Sequence, residues 1–330
     1  ENHMDGKDNI LVQDSTNQIY LLSPNGNVVW KRQMESRING IVYSVDFYKN
    51  KKKQILFATN NGVYLIDMLG RDVEGFPISL TASVTSPLTI LDYDNSGEYR
   101  MFIGCDNGNV YGFYKDGKPL PGWSPLKDAG IIEQVFGYAF SNQKDYIAMS
   151  NANGWLNVKN RKGEDRIKKV QADAKLTTAF VADNQKNVSA FIGIDERLRL
   201  VKLLLDGTVS HEIIAEDIAD ACIADINNAG EVVLIYLTSH SIVAQKLNGQ
   251  KIFETTIGNT NGYTLQAYTT GQTVYYGAYN RVAQKTILFN NEGKMLNGFP
   301  VDGASRFTVI ESGKLLITSI SKYIVAYDIN

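Results

Sequence analysis

Along this chain short apolar runs alternate with polar turns, and the spacing of those turns is regular. Strand-like phrases end in a glycine at Gly26, Gly70, Gly117, Gly163, Gly207, Gly249 and Gly293, at intervals of 42 to 47 residues. The phrases read QIYLLSPNG, GVYLIDMLG, NVYGFYKDG, WLNVKNRKG, LRLVKLLLDG, SIVAQKLNG and TILFNNEG. Their apolar positions alternate or cluster as in half-buried or buried strands. Asn-Gly, Asp-Gly and Lys-Gly endings suit tight hairpins, because glycine takes positive φ without a steric penalty. A more apolar segment precedes each phrase: ILVQD, ILFAT, MFIGC, YIAMS, SAFIG, VVLIY and VYYGA. Another strand precedes most of these, as in IVYSVDF, LTILDY and TTAFVAD. A short outer segment follows each glycine, such as NVVWKRQ, EGFPISL, PGWSP or KIFETTI. No stretch has convincing helical period and caps.

One unit is therefore four strands, A to D, with the glycine turn between C and D. A period of about 45 residues is that of four-stranded propeller blades. The expected fold is all-β, a propeller of four-stranded antiparallel blades, with eight blades favoured and seven as the alternative. The repeats fall near 1–33, 41–80, 86–125, 131–170, 177–214, 220–257, 263–303 and 305–330, read as a single domain 1–330. The eighth unit is expected to stop at its third strand, and the first to start inside or just after strand A. Pairing of the first and last blades is then the open question of the architecture.

Composition adds exclusions. Net charge is −2 and the only dense basic run is Tyr48-Lys49-Asn50-Lys51-Lys52-Lys53, read as a solvated turn, so nucleic acid is not an expected partner. No run of 18 apolar residues exists to insert into a membrane. Cys105 and Cys222 sit in apolar strand-like runs and read as small buried hydrophobes. With three histidines, His3, His211 and His240, no pair has metal-ligand spacing, and no G-x-S-x-G elbow occurs. An enzyme is not expected. The many aromatics read as packing: Tyr20, Tyr64 and Tyr111 before the glycines, and Trp30, Phe76, Trp123 and Phe299 after them.

The phrases NGVYLIDMLGRDVEGFP, NGNVYGFYKDGKPLPGW and STNQIYLLSPNGNVVW resemble the repeats of quinoprotein-like (PQQ-like) propellers. The turn LDYDNSGEYRMFIGCDNG resembles FG-GAP-type repeats. The whole is similar to the C-terminal propeller of large envelope-associated bacterial proteins. That resemblance implies a periplasmic, outer-membrane-associated or extracellular place, although this chain shows no signal peptide. The FG-GAP likeness points to Asp92, Asp94 and Asn95, with Gly97, as the nearest match to a calcium loop, and to Asp225, Asn227, Asn228 and Gly230 as the second. Both are short of carboxylates for an ion that takes six or more oxygens, so the preferred reading is an Asx-type turn with no cofactor.

Function is expected in the loops joining strand D to the next strand A: Glu35–Gly40, Thr81–Ser86, Leu126–Gly130, Gln171–Leu176, Ala215–Asp220, Gly258–Tyr263 and Val301–Arg306. Their candidate binding residues are Arg37, Lys127, Asp173, Lys175, Asp217, Asn261, Tyr263 and Arg306. The expected activity is non-catalytic docking of a protein partner. Binding or processing of a carbohydrate or other polymer is the alternative.

Overall fold

The computed structural model describes residues 8–127, 129–134, 136–183, 190–226, 231–270, 273–310 and 315–329. These residues form eight sheets and no helix. The chain is an all-β propeller of eight blades. Blade one contains β1 (Ile10–Gln13), β2 (Gln18–Leu22) and β3 (Val28–Gln33). Blade two contains β4 (Ile38–Val45), β5 (Gln54–Thr59), β6 (Gly62–Ile66) and β7 (Ile78–Ser79). Blade three contains β8 (Thr89–Leu91), β9 (Arg100–Gly104) and β10 (Val110–Tyr114). Blade four contains β11 (Gly137–Ser141), β12 (Lys144–Ser150), β13 (Trp155–Lys159) and β14 (Asp165–Gln171). Blade five contains β15 (Val181–Asp183), β16 (Ala190–Ile194), β17 (Arg199–Leu204) and β18 (Val209–Ile213). Blade six contains β19 (Asp220–Ile226), β20 (Glu231–Leu237), β21 (Ser241–Lys246) and β22 (Lys251–Thr256). Blade seven contains β23 (Tyr263–Thr270), β24 (Thr273–Asn280), β25 (Lys285–Phe289) and β26 (Val301–Asp302). Blade eight contains β27 (Thr308–Ile310), β28 (Leu315–Ile320) and β29 (Tyr323–Asp328).

The chain divides into two compact units, 1–138 with 144–175, and 139–143 with 176–330. Within each, the core lies between consecutive blades. In the first unit, Leu56, Leu65, Met101 and Phe113 join blades two and three. Phe102, Trp123, Ile147 and Met149 join blades three and four. In the second, Ile192, Leu200, Leu234 and Val243 join blades five and six, and Ile235, Phe253, Tyr276 and Phe289 join six and seven. A blade is a thin sheet with two apolar faces, so it buries them only by stacking on neighbours.

All seven predicted turn glycines have φ between 77° and 92°. In each turn the glycine N–H donates to the carbonyl three residues before it, at 2.9 to 3.0 Å. Side chains reinforce several of these turns. Asp67, Asn160 and Asn290 each accept amides two and four residues ahead through one oxygen.

The outer strand departs from expectation in blade three. PGWSP forms no strand; isolated bridges Phe113–Pro119 and Val110–Leu126 replace it. Pro119, Pro121 and Pro125 have no N–H to donate to a ladder. Blades two and seven, with Gly-Phe-Pro at the same place, keep outer strands of only two residues. In all three, the aromatic N–H donates to the carbonyl three residues back: Phe76 to Val73, Trp123 to Leu120, Phe299 to Leu296.

The aromatics after the glycines sit as packing residues, with Trp123 fully buried and Phe76 8% exposed. Tyr64 is buried and stacks on Phe57 with centroids 5.4 Å apart. Tyr20 differs. It is half-buried and its hydroxyl donates to the Gln18 side-chain oxygen at 2.7 Å, serving its own hairpin. The two thiols are free. Burial pushes Cys105 up to about 11 and Cys222 to about 12, so neither forms a ready thiolate.

Candidate binding surface

The D–A loops do not stand alone. Each is tied to a B–C turn, so the two together make one end of the blades. In the first unit, Asn61 donates its side-chain N–H to Glu35 at 2.7 Å, and Gln13 binds Ser36 and Ile38 through its two amide atoms. The Asp106 amide donates to the Ser83 carbonyl at 2.8 Å, and Asn39, near the start of β4, donates to the Ser86 carbonyl at 3.3 Å. Asn151 donates to the Ala129 carbonyl at 3.2 Å, and Gln171 to the Asn153 carbonyl at 2.9 Å. In the second unit, Ser239 donates to Asp217 at 2.9 Å, Asn280 to the Asn261 carbonyl at 2.9 Å, and the Ser319 amide to Ser305 at 3.1 Å.

Neighbouring inner strands are stapled in the same way. Tyr43 donates its hydroxyl to the Leu88 carbonyl at 2.8 Å. The Phe136 amide donates to Thr89 at 3.2 Å. Gln266 donates to the Phe307 carbonyl at 2.7 Å and accepts from the Phe307 amide at 3.1 Å. Asp220 accepts from the Leu265 amide at 2.8 Å and from the Ala221 amide at 2.9 Å. Burial raises the Asp220 carboxyl above its ordinary range, opposed by those two amides.

These bonds sort the expected residues. Arg37 and Lys127 in the first unit, and Arg306 in the second, extend into solvent. Asp173 is exposed, and Lys175 is ion-paired with Glu133. Asp217 is exposed but accepts both the hydroxyl and the amide of Ser239, bonds that hold its carboxyl below the usual range. Asn261 is exposed, while its carbonyl accepts from Asn280. Tyr263 begins β23 and is half-buried against the core between blades six and seven. The B–C turns were absent from the sequence expectation. Their signal is an Asp or Asn opening the turn: Asp14, Asn151 and Asp195 each accept amides two and four residues on.

Asp217, Ser239 and His240 form the one Ser–His–acid group among the described contacts of this surface, and its wiring is not that of a nucleophile. The Ser239 hydroxyl lies between Asp217 and His240 Nδ1, which is 2.7 Å away. In a hydrolytic triad the histidine lies between serine and acid; here the serine lies between the acid and the histidine.

At the calcium-like turn, Asp92 accepts the Ser96 and Gly97 amides, and Asp94 accepts the Ser96 hydroxyl at 2.7 Å. The carboxylate oxygens close the turn. Among the described residues no three His, Cys, Asp or Glu side chains gather where they could hold a metal ion. Asn227, Asn228 and Gly230 of the second turn lie outside the described residues.

The fold and these loop-and-turn ends define an eight-bladed β-propeller. Its solved likenesses share the architecture at low identity. BamB from Moraxella catarrhalis is 14% identical, with a TM-score of 0.60 over 97% of this chain and 90% of its own. BBS1N, solved in complex with ARL6DN, is 10% identical, with a TM-score of 0.59 over 88% of this chain and 87% of its own. The dihydro-heme d1 dehydrogenase NirN, in complex with DHE, is 12% identical, with a TM-score of 0.62 over 97% of this chain and 70% of its own. No family model and no curated protein matches the chain. At such identities the likeness is one of fold.

Proposed function

We propose that this protein is a non-catalytic interaction propeller of a secreted or envelope-associated bacterial protein, and that it docks a protein partner through its D–A loops and B–C turns. One observation carries the reading. The Asn, Gln, Ser and Thr side chains of these ends are bonded to neighbouring loops and turns, while Arg37, Lys127 and Arg306 project. A pinned backbone that presents a few long charged side chains binds without a large ordering cost. BBS1N, which shares the fold, was solved with a bound protein. The envelope assignment rests on the likeness of the repeat phrases. The test is the triple variant Arg37→Glu, Lys127→Glu and Arg306→Glu, checked for native circular dichroism. Cross-linking to native partners in the producing cell should fall by about tenfold or more. Unchanged cross-linking by the folded variant would exclude these loops.

A further inference from the structure

Two blades hold no outer strand among the described residues, and they treat the bare edge differently. In blade three the proline-rich stretch covers the edge of β10. Val110 exchanges backbone bonds with Leu126, and Gly112 donates to the Trp123 carbonyl and accepts from the Leu120 amide. In blade eight β29 is the last strand of its sheet, and no described strand pairs with its far side. Its residues are also less covered than those of other third strands. Tyr323 is 60% and Ile324 42% exposed, whereas β6 and β25 are buried almost throughout.

The direction of the open backbone groups follows from β28. Ser319 turns its amide to the Ser305 hydroxyl and its carbonyl to the Ala304 amide, away from β29. Backbone groups alternate along a strand, so Thr318 and Ile320 bond with Val325 and Tyr323. Ile324, Ala326 and Asp328 therefore point their N–H and C=O at the open edge. Nothing on that edge blunts it. Among the outer strands, β3, β14 and β22 are bulged. β18 carries His211 and Glu212, and β7 and β26 are two residues long. Bulges, charges and short length are what keep edge strands from pairing. β29 has six residues in unbroken register with β28, and no charge between Lys322 and Asp328.

We propose that β29 pairs antiparallel with β29 of a second copy of this chain, with a two-fold axis at Val325. The edge restricts the register. Residues that face it must stand opposite one another, so only alternate registers are open. One of these places Lys322 opposite Asp328 of the second copy, and by symmetry Asp328 opposite its Lys322. The same register sets Tyr323 against Tyr327, Ile324 against Ala326 and Val325 against itself. Ile324 and Ala326 then exchange backbone bonds across the axis, and the exposed Tyr323 and Ile324 gain cross-strand neighbours. Lys322 and Asp328 are exposed, and neither belongs to an ion pair among the described residues. The charges at the two ends of the strand thus complement those of its own copy. The contact uses none of Arg37, Lys127 and Arg306, so it stands or falls apart from the docking surface.

The full chain is weighed by light scattering across a concentration series. Its mass should rise from 36.7 kDa toward twice that value. Ala326→Pro removes an N–H that faces the edge and no bond to β28. With native circular dichroism, it should weaken the dimer by about tenfold or more. Lys322→Asp and Asp328→Lys should each weaken it, and the double exchange should restore it. If Ala326→Pro fails to fold, cysteine placement decides. The Cα atoms of a pair without hydrogen bonds stand about 4.5 Å apart, within disulfide reach. Val325→Cys should therefore oxidise to a covalent dimer and Ile324→Cys should not. A monomer at every concentration would overturn the proposal, including one whose own chain protects the Ile324 and Ala326 amides from exchange. So would a dimer that survives Ala326→Pro, or a double exchange that fails to restore the pair.

Discussion

The two ends of a blade are held by different chemistry. At the C–D end an apolar ring or a carbonyl of one blade drops onto the glycine of the next, as Trp30 does at Gly70 and Phe253 at Gly293. At the other end the joints are polar: Asn39 to Ser86, Asn151 to Ala129, Gln266 to Phe307. The difference separates packing from presentation. A filled apolar seat tolerates no smaller side chain without leaving a hole. A polar clamp needs only a donor and an acceptor, so the residues beside it are at liberty to vary. The polar end is therefore the less constrained of the two.

The largest effect should come from emptying a filled seat. Trp123 is fully buried, meets Phe102 edge-on at 4.9 Å and donates to Arg161. Trp123→Ala should cost about 3–5 kcal/mol in urea unfolding. Trp30, half-buried, should cost less, about 1–3 kcal/mol. Equal losses would break the idea that burial in the seat sets the energy. Glycines sharpen the point. Gly163 at φ 81° needs both left-handed backbone and bare space, whereas Gly249 at φ 84° has open space around it. Gly249→Ala should cost only the backbone term, about 1–2 kcal/mol. Gly163→Ala should cost that and more, about 2–4 kcal/mol, because the group it would meet is the backbone carbonyl of Gly122, which cannot yield without moving the chain beside Trp123.

The packed end was legible in the sequence and the polar end only in part. Seven glycines at near-constant spacing demand a recurring turn, and the turn places every strand around it. The eight units agree with the eight sheets among the described residues. The outer strand of blade three failed because its apolar pattern hid three prolines without donors. The candidate surface was half legible. The D–A loops could be counted from the period. Which of their side chains are spent on clamps could not, because partners such as Asn39 and Ser86, or Gln266 and Phe307, are 41 to 47 residues apart and follow no local spacing rule. Tyr263 illustrates this: one residue decides between loop and strand, and the strand buries half of it.

A smaller effect tests the clamps. Gln266→Ala removes both bonds to the Phe307 backbone, whose amide and carbonyl then depend on water. The expected loss is about 1–2 kcal/mol. Hydrogen exchange at the Phe307 amide should rise with it. A loss as large as that of Trp123→Ala would erase the distinction between the two ends.

The smallest effect concerns charge at the polar end. Asp220 staples β19 to β23, and burial raises its carboxyl above the ordinary 3.8. A folded-state value above the unfolded one means that the native protein binds the proton more tightly. The contribution of Asp220 to stability is therefore fully present below the ordinary value and is lost as pH rises through the folded one. Asp220→Asn keeps an oxygen for the Leu265 amide and removes the cost of a buried charge. Urea unfolding of the variant should show a flatter pH profile from the ordinary value of 3.8 upward, with stability near neutrality equal to or slightly above wild type. If the variant instead loses stability at neutral pH, the ionised carboxylate is the better acceptor for its two amides, and the staple outweighs the desolvation that raises its titration.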